Sequence, residues 1–339
     1  MLKDKFENLL AFLKDKKILI TTHDLADVDG LVSCYGLNFF LNQYFKHKEI
    51  FLYFSEISKS AKNFMKNFNV KFPSYDFFYN DDIDDSNIDL VVILDTNNMN
   101  QVKFPNNFEI LNKEIPIVFI DHHYVNSNNN SYKNFNSLIF QEYASTAEII
   151  CELYKEFNVE LPLPYKVLFI SGILTDSGFF KYGTNDTITY VSKLLDPEFN
   201  FQEILAMLEV EESISEKIAK IKGIQRVKLI RERDWLMGIT YVGSYEADVA
   251  SALIKIGFDV GIVWSRKTSE YRISTRASNK ICLRTGLHLG KILEELSGEY
   301  EGSGGGHDGA ASLKGKIGLD NILKKIEEKI LTILKKQEF

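Results

Sequence analysis

Short apolar runs that end abruptly in polar residues recur four times in the first part of the chain, at 17–22 (KILITT), 50–54 (IFLYF), 90–94 (LVVIL) and 117–120 (IVFI). Runs this short and this rich in β-branched residues predict buried strands. The segments between them have room for helices or loops, which is the grammar of a parallel sheet covered on both faces. Ahead of the first strand, Phe6, Leu9, Leu10 and Leu13 recur at helical spacing among charged residues. That pattern predicts an amphipathic first helix, unlike a signal peptide with its continuous apolar core. A helical pattern also follows the first strand to about Phe45.

Residues 144–208 read as mostly helical, punctuated by Pro162, Pro164 and Pro197, and 213–221 as one more helix before Gly223. We expect a linker there. From Gln225 the texture changes to β-branched alternation (VKLIRER, WLMGITYV, VGIVWSR, YRISTRAS), with a helix over about 246–256, a Gly-rich turn over 302–309 and a final amphipathic helix from about Asn321. Asn- and Asp-rich stretches at 81–87 and 126–136 predict surface loops. The expectation is an α/β protein with a parallel-sheet N-terminal domain over 1–195, a helical linker over 196–223 and a smaller mixed α/β domain over 224–339.

Composition narrows the function classes. With 45% hydrophobic and 26% charged residues in a chain of 339, the balance is globular and excludes wholesale disorder, collagen-like repeats and a coiled-coil rod. Forty basic against 47 acidic side chains give a net charge of −7, which weighs against tight wrapping of long duplex nucleic acid. No stretch is long enough to span a bilayer, so no membrane partner is expected. Cys34, Cys151 and Cys282 are odd in number and lack metal-type spacing, and so read as reduced core thiols of a cytoplasmic protein.

Three of the predicted strands run directly into metal-ligand chemistry: Thr22 into His23, Leu94 into Asp95, and Ile120 into Asp121, His122 and His123. Ligands of open parallel sheets bind beyond the carboxyl ends of the strands, so these segments should converge on one crevice. Asp27 and Asp29 follow His23, and Asp176 follows a helical run beside Gly178. Together His23, Asp27, Asp29, Asp95, His122 and Asp176 could supply two divalent cations with nitrogen and oxygen ligands. Such a set favours Mn2+, with Mg2+ or Co2+ as alternatives. Without cations, four clustered carboxylates would repel one another.

The spacing of His23, Asp27 and Asp29 with Gly30 and Ser33, then Asp95, then Asp121-His122-His123, then Thr175-Asp176-Ser177-Gly178 resembles the four motifs of the DHH phosphoesterase family. The second half resembles that family's associated C-terminal domain in 274–278 (STRAS) and in Gly304-Gly305-Gly306-His307 followed by Ala310-Ala311. The resemblance implies that His23, Asp27 and Asp95 hold one metal while Asp29, Asp95, His122 and Asp176 hold the other, with Asp95 bridging. It further implies that Asp121 orients His122, that His123 faces the scissile phosphate, and that Arg276, Gly304, Gly305, Gly306 and His307 bind a phosphate of the substrate. The TDSGFF segment and the gap from His23 to Asp27 look like the branch that cleaves nanoRNA, cyclic dinucleotides and pAp. Ala26 stands where oligonucleotide-cleaving members commonly have Pro, and Gly30 is similar instead to RecJ-type exonucleases.

Each of these residues also has an ordinary structural reading. Asp27 or Asp29 could cap the helix that holds Leu31, and Asp95 and Asp176 could cap turns. The GSGGGHDG run could be a flexible loop, and Arg276 could pair with a surface carboxylate. His47 and His288 lack a partner pattern, and Trp235 and Trp264 read as core. The joint occurrence favours a two-metal phosphoesterase acting on short nucleotide substrates in a cleft between the domains, with dimerisation left open. The alternatives are a RecJ-type single-strand exonuclease, an inorganic pyrophosphatase, or a catalytically silent binding subunit of the same fold.

Overall fold

The computed structural model describes residues 2–45, 49–84, 87–105, 115–123, 137–300 and 302–335. The loop expected at 126–136, part of that at 81–87, and His47 lie outside the described residues. The chain forms two compact units, Met1–Val210 and Glu211–Phe339.

The first unit opens with α1 (Leu2–Leu13), whose Phe6, Leu9, Leu10 and Leu13 are all buried. Burying side chains of this size contributes roughly 1.5–3 kcal/mol each. Next come β1 (Ile18–Thr21), β2 (Leu25–Ala26), α2 (Val28–Phe45), β3 (Ile50–Leu52), β4 (Glu56–Ile57), α3 (Lys59–Lys71), β5 (Leu90–Leu94), β6 (Ile117–Asp121) and β7 (Leu138–Ile139). Helices α4 (Thr146–Glu156), α5 (Leu163–Asp176), α6 (Asn185–Leu194) and α7 (Phe201–Leu208) complete the unit. Strands β3-β1-β5-β6-β7 lie in that order in one sheet, every pairing parallel. All residues of β1, β5 and β6 are buried, as continuous apolar strands with both faces covered require. Strands β2 and β4 pair separately and were not foreseen; at two residues each they carry no readable period.

The second unit holds α8 (Ile214–Gln225), β8 (Lys228–Glu232), β9 (Trp235–Tyr241), α9 (Glu246–Lys255), β10 (Val260–Arg266), β11 (Tyr271–Ala277), α10 (Asn279–Thr285), α11 (Leu289–Ser297), β12 (Ser303–Gly306), β13 (Ala310–Gly315) and α12 (Leu319–Lys335). Its six-stranded sheet has the order β12-β13-β11-β10-β9-β8, with β9 and β10 parallel and the remaining neighbours antiparallel. The architecture is therefore the expected one, a parallel-sheet unit followed by a mixed α/β unit.

Two details differ from expectation. The stretch expected as linker is divided between the units: α7 packs on α3, where Asn67 Nδ2 donates to Met207 O at 3.1 Å, whereas α8 is tied to β9 by Thr240 Oγ1 donating to Gly223 O at 2.7 Å. The Gly-rich turn is in large part a strand, β12, pairing antiparallel with β13. A side chain on Gly304 would run into Leu293 O, so the glycine lets the strand lie against the backbone of α11. Cys34, Cys151 and Cys282 are buried thiols, and Trp235 is core. No helix among the described residues is long and apolar enough to cross a membrane.

Candidate metal centre

In the first sheet the chain steps from β1 outward to β3, then returns to the other side of β1 for β5, β6 and β7. This reversal opens a crevice above the carboxyl ends of β1 and β5, the ligand position of open α/β sheets. His23 follows β1, Asp95 follows β5 directly, and Asp121, His122 and His123 come at and after the end of β6. Asp27 and Asp29 arrive at the first turn of α2, and Asp176 at the last residue of α5.

The topology brings all six candidate ligands together. His23 Nε2 stands 3.7 Å from Asp95 Oδ2 and 3.8 Å from Asp27 Oδ1. His122 Nε2 stands 3.0 Å from Asp176 Oδ2 and 3.6 Å from Asp95 Oδ1. Donor atoms of His23, Asp27 and Asp95 lie within 4.8 Å of one another, and so do those of Asp29, His122 and Asp176. Asp95 thus belongs to the first group and touches the second. His122 Nε2 is buried between the Asp95 and Asp176 carboxylates. A buried imidazole nitrogen facing carboxylate oxygens is a donor set that fits hard to intermediate divalent cations. Asp176 also sits at a helix C-terminus, where the backbone dipole disfavours a carboxylate and a cation would offset the cost.

Neighbouring groups hold these side chains in place. Asp27 Oδ1 accepts from the Gly30 amide at 3.0 Å, so its ordinary reading as the cap of α2 is realised alongside its place beside His23. Asp29 is almost wholly buried and accepts from the Thr146 and Ala147 amides of α4 at 2.8 and 3.0 Å. Thr146 Oγ1 donates to Asp95 Oδ1 at 3.1 Å. Asp95 itself has a left-handed backbone, φ 62°, uncommon for a non-glycine and costing about 1–3 kcal/mol where it occurs.

Electrostatics follow from this crowding. Burial works against a charged imidazole at His23, but the carboxylates of Asp27 and Asp95 outweigh it and raise the group to about 10. His122 is likewise opposed by burial and raised to about 11 by Asp176, Asp95 and Asp29. Burial alone would raise Asp95, yet His122 and His23 hold it well below the usual carboxylate range. Burial, then the charges of Asp95 and Asp176, push Asp29 well above that range.

Asp121 departs from the role expected of it. Its Oδ1 accepts from His123 Nδ1 at 2.8 Å and from the backbone amide of His122 at 2.9 Å, so the ring it orients is that of His123. The strand ends at Asp121, and His123 Nδ1 reaches back two positions to the carboxylate that ends it. Hydrogen bonding to Asp121 outweighs burial and raises His123 above its ordinary value.

In the second unit Arg276, Gly305 and Gly306 line one cavity of about 480 Å³ together with Ser274, Ser312, Lys314 and Arg272. Gly304 and His307 are not part of its lining. His307 is exposed, and its backbone carbonyl accepts from Gly290 while its amide donates to Ala310 O, closing the turn between β12 and β13. His288 caps α11 by accepting from the Lys291 amide at 3.2 Å.

Sequence reasoning passed over Thr146 and Asn97. The pattern Ser145-Thr146-Ala147-Glu148 was the available signal for Thr146: it is an N-cap signature, and Ser145 Oγ accepts from the Glu148 amide at 3.2 Å. Asn97 has no comparable pattern, lying in a run of polar residues after Asp95.

Comparison with known proteins agrees with this architecture. Residues 17–173 match the N-terminal domain of the DHH family, and residues 247–332 match the DHHA1 domain. Uncharacterized protein MJ0988 of Methanocaldococcus jannaschii is 30% identical over 332 residues, covering 97% of this chain and 96% of that protein. An exopolyphosphatase-related protein from Bacteroides fragilis superposes with a TM-score of 0.70 at 16% identity, covering 98% of both chains. The DHH domain of a member of the S1p family of ribosomal proteins superposes with a TM-score of 0.52 at 15% identity, covering 97% of this chain and 91% of that one. With the motif order, the converging ligands and both domain matches in hand, the chain belongs to the DHH phosphoesterase family.

Proposed function

We propose that the protein is a metal-dependent phosphoesterase that hydrolyses short oligonucleotides, linear or cyclic dinucleotides, or pAp. The observation that carries this reading is the position of Asp95, within reach of both His23 and His122 at the switch point of the sheet. On this reading His23, Asp27 and Asp95 hold one divalent cation, and Asp29, Asp95, His122 and Asp176 the other, with Mn2+ the first candidate and Mg2+ or Co2+ the alternatives. Two such cations supply an activated water and neutralise charge on the entering and leaving oxygens of a phosphoryl transfer.

The remaining work falls to the chain's own groups. Asp121 occupies Nδ1 of His123, which leaves Nε2 to donate a hydrogen bond or proton to a phosphate or leaving-group oxygen. The amides of α4 fix Asp29, so its carboxylate keeps its orientation whether or not substrate is bound. In the second unit Arg276, Gly305 and Gly306 line one cavity with Arg272, Lys314, Glu246 and Asp248, and there the guanidinium and the glycine backbone would take a phosphate group of a small nucleotide. Gly304 and His307, in the same Gly-rich segment, do not line that cavity and stay in the proposal as neighbours of the residues that do.

The test is hydrolysis by the Mn2+-loaded protein of pApA, cyclic di-AMP, pAp, a long labelled single strand and pyrophosphate. Turnover of the first three substrates ahead of the others is expected. Preference for the long strand would favour the RecJ-type exonuclease, preference for pyrophosphate a pyrophosphatase, and two bound ions without turnover a silent binding subunit.

A further inference from the structure

Asp121 is fully buried, and an ionised carboxylate is an acceptor only, so each oxygen needs donors. Oδ1 is served by the His122 amide and His123 Nδ1. Oδ2 receives the side chain of Asn97, whose Nδ2 donates at 2.7 Å and also reaches His123 O at 3.2 Å. Both neighbours of that nitrogen are acceptors, so the amide must present its NH2 to them. One side chain thereby fastens the carboxylate that holds the His123 ring and the backbone that carries it.

Asn97 is itself fixed. Thr96 Oγ1 donates to Gln101 Oε1 at 2.6 Å and accepts from the Asn98 amide, and Asn98 Oδ1 caps the short turn at Met99–Gln101. Gln101 O accepts from the Asp24 amide at 2.6 Å, joining this loop to the one that carries His23. Three strand-end loops are thus bonded into one assembly with Asn97 directed at the Asp121 carboxylate.

We infer that Asn97 is a positioning residue: by donating to Asp121 Oδ2 it holds that carboxylate in line with His123 Nδ1, so that the His123 ring is kept with Nε2 turned to the phosphate. The inference rests on the proposed phosphoesterase reading for its catalytic consequence, but not for its structural one. Asn97 offers no ligand atom to the groups around His23 and Asp176, and of the third cluster, Asp95 with Asp121, His122 and His123, it touches only Asp121 and the His123 backbone, so its loss is expected to leave metal binding intact while the His123 ring loses its orientation.

Long-range proton–nitrogen NMR of the histidine-labelled, metal-free protein reads the structural consequence, with His123→Gln assigning the ring. In the wild type the His123 Nδ1–H, held by Asp121, gives one downfield signal. In Asn97→Ala that signal is lost or broadened, because the ring is no longer held in one orientation. With Mn2+ and pApA, Asn97→Ala lowers kcat by about tenfold, with KM and Mn2+ affinity within about twofold, the scale of lost outer-shell partners. In a His123→Ala background the same substitution adds less than about twofold, because the two act as one unit. Should Asn97→Ala fail to fold by circular dichroism, Asn97→Ser takes its place. Full retention of the His123 Nδ1–H signal, or undiminished effects of Asn97→Ala in the His123→Ala background, would overturn the inference. Inactivity of the wild type on every phosphoester would sink the phosphoesterase reading instead, while the NMR signal still decides the role of Asn97.

Discussion

Asp95 combines a left-handed backbone and nearly complete burial with two imidazoles and a threonine hydroxyl around one carboxylate. In protein stripped of metal by a chelator, this crowding has a consequence for stability. His23 and His122 keep protons to about 10 and 11, whereas the unfolded chain releases them near 6.5. Across that window the folded state binds more protons than the unfolded state, so stability falls as pH rises, by at most about 1.4 kcal/mol per pH unit for each imidazole. Asp95 acts at the other end, because its folded acidity is enhanced: its contribution is present above the ordinary carboxylate range and lost as pH falls through it. Urea midpoints in chelator at about pH 6, 7.5 and 9 check the first trend, and a flat or rising series would contradict it. Bound Mn2+ should flatten the slope, because cations replace the protons.

Glycine placement makes the prediction at the level of elements. A side chain on Gly304 meets the backbone of α11, whereas one on Gly305 meets nothing within 4 Å. Gly304→Ala should therefore destabilise by about 1–3 kcal/mol through overpacking, and Gly305→Ala by less than about 0.5 kcal/mol, as read by denaturant midpoints. Equal losses would contradict the packing of β12 on α11. These same elements show what the sequence could disclose. β1, β5 and β6 were legible because burial on both faces writes itself as an unbroken apolar run, and the ligands His23, Asp95 and His122 because they fall directly after such runs. β12 was not legible, since a strand of glycines has no alternation to read. The support of Asp29 by α4 was hidden for another reason: it comes from backbone amides 117 and 118 residues away, and amides leave no mark on composition. That Asp121 meets the ring of His123, and the backbone of His122, is not legible, because it is set past the end of β6 where the sequence carries no period.

For the molecule as a whole, the two units carry unequal parts of the chemistry. All six candidate metal ligands lie in Met1–Val210, and the cavity with Arg276 lies in Glu211–Phe339. Mn2+ should accordingly slow amide hydrogen exchange in β1, β5, β6 and the first turn of α4 while leaving β11 and β13 as they were, because a ligand stabilises what it binds. Equal protection in both units would contradict that division. The central claim is that residues spread from His23 to Asp176 surround a pair of cations, and metal content tests it most directly. After Mn2+ loading and desalting, the wild type should retain about two ions per chain and folded Asp95→Asn no more than about one, since one shared carboxylate serves both positions. A wild type that keeps fewer than one ion, or an Asp95→Asn protein that keeps both, would contradict it.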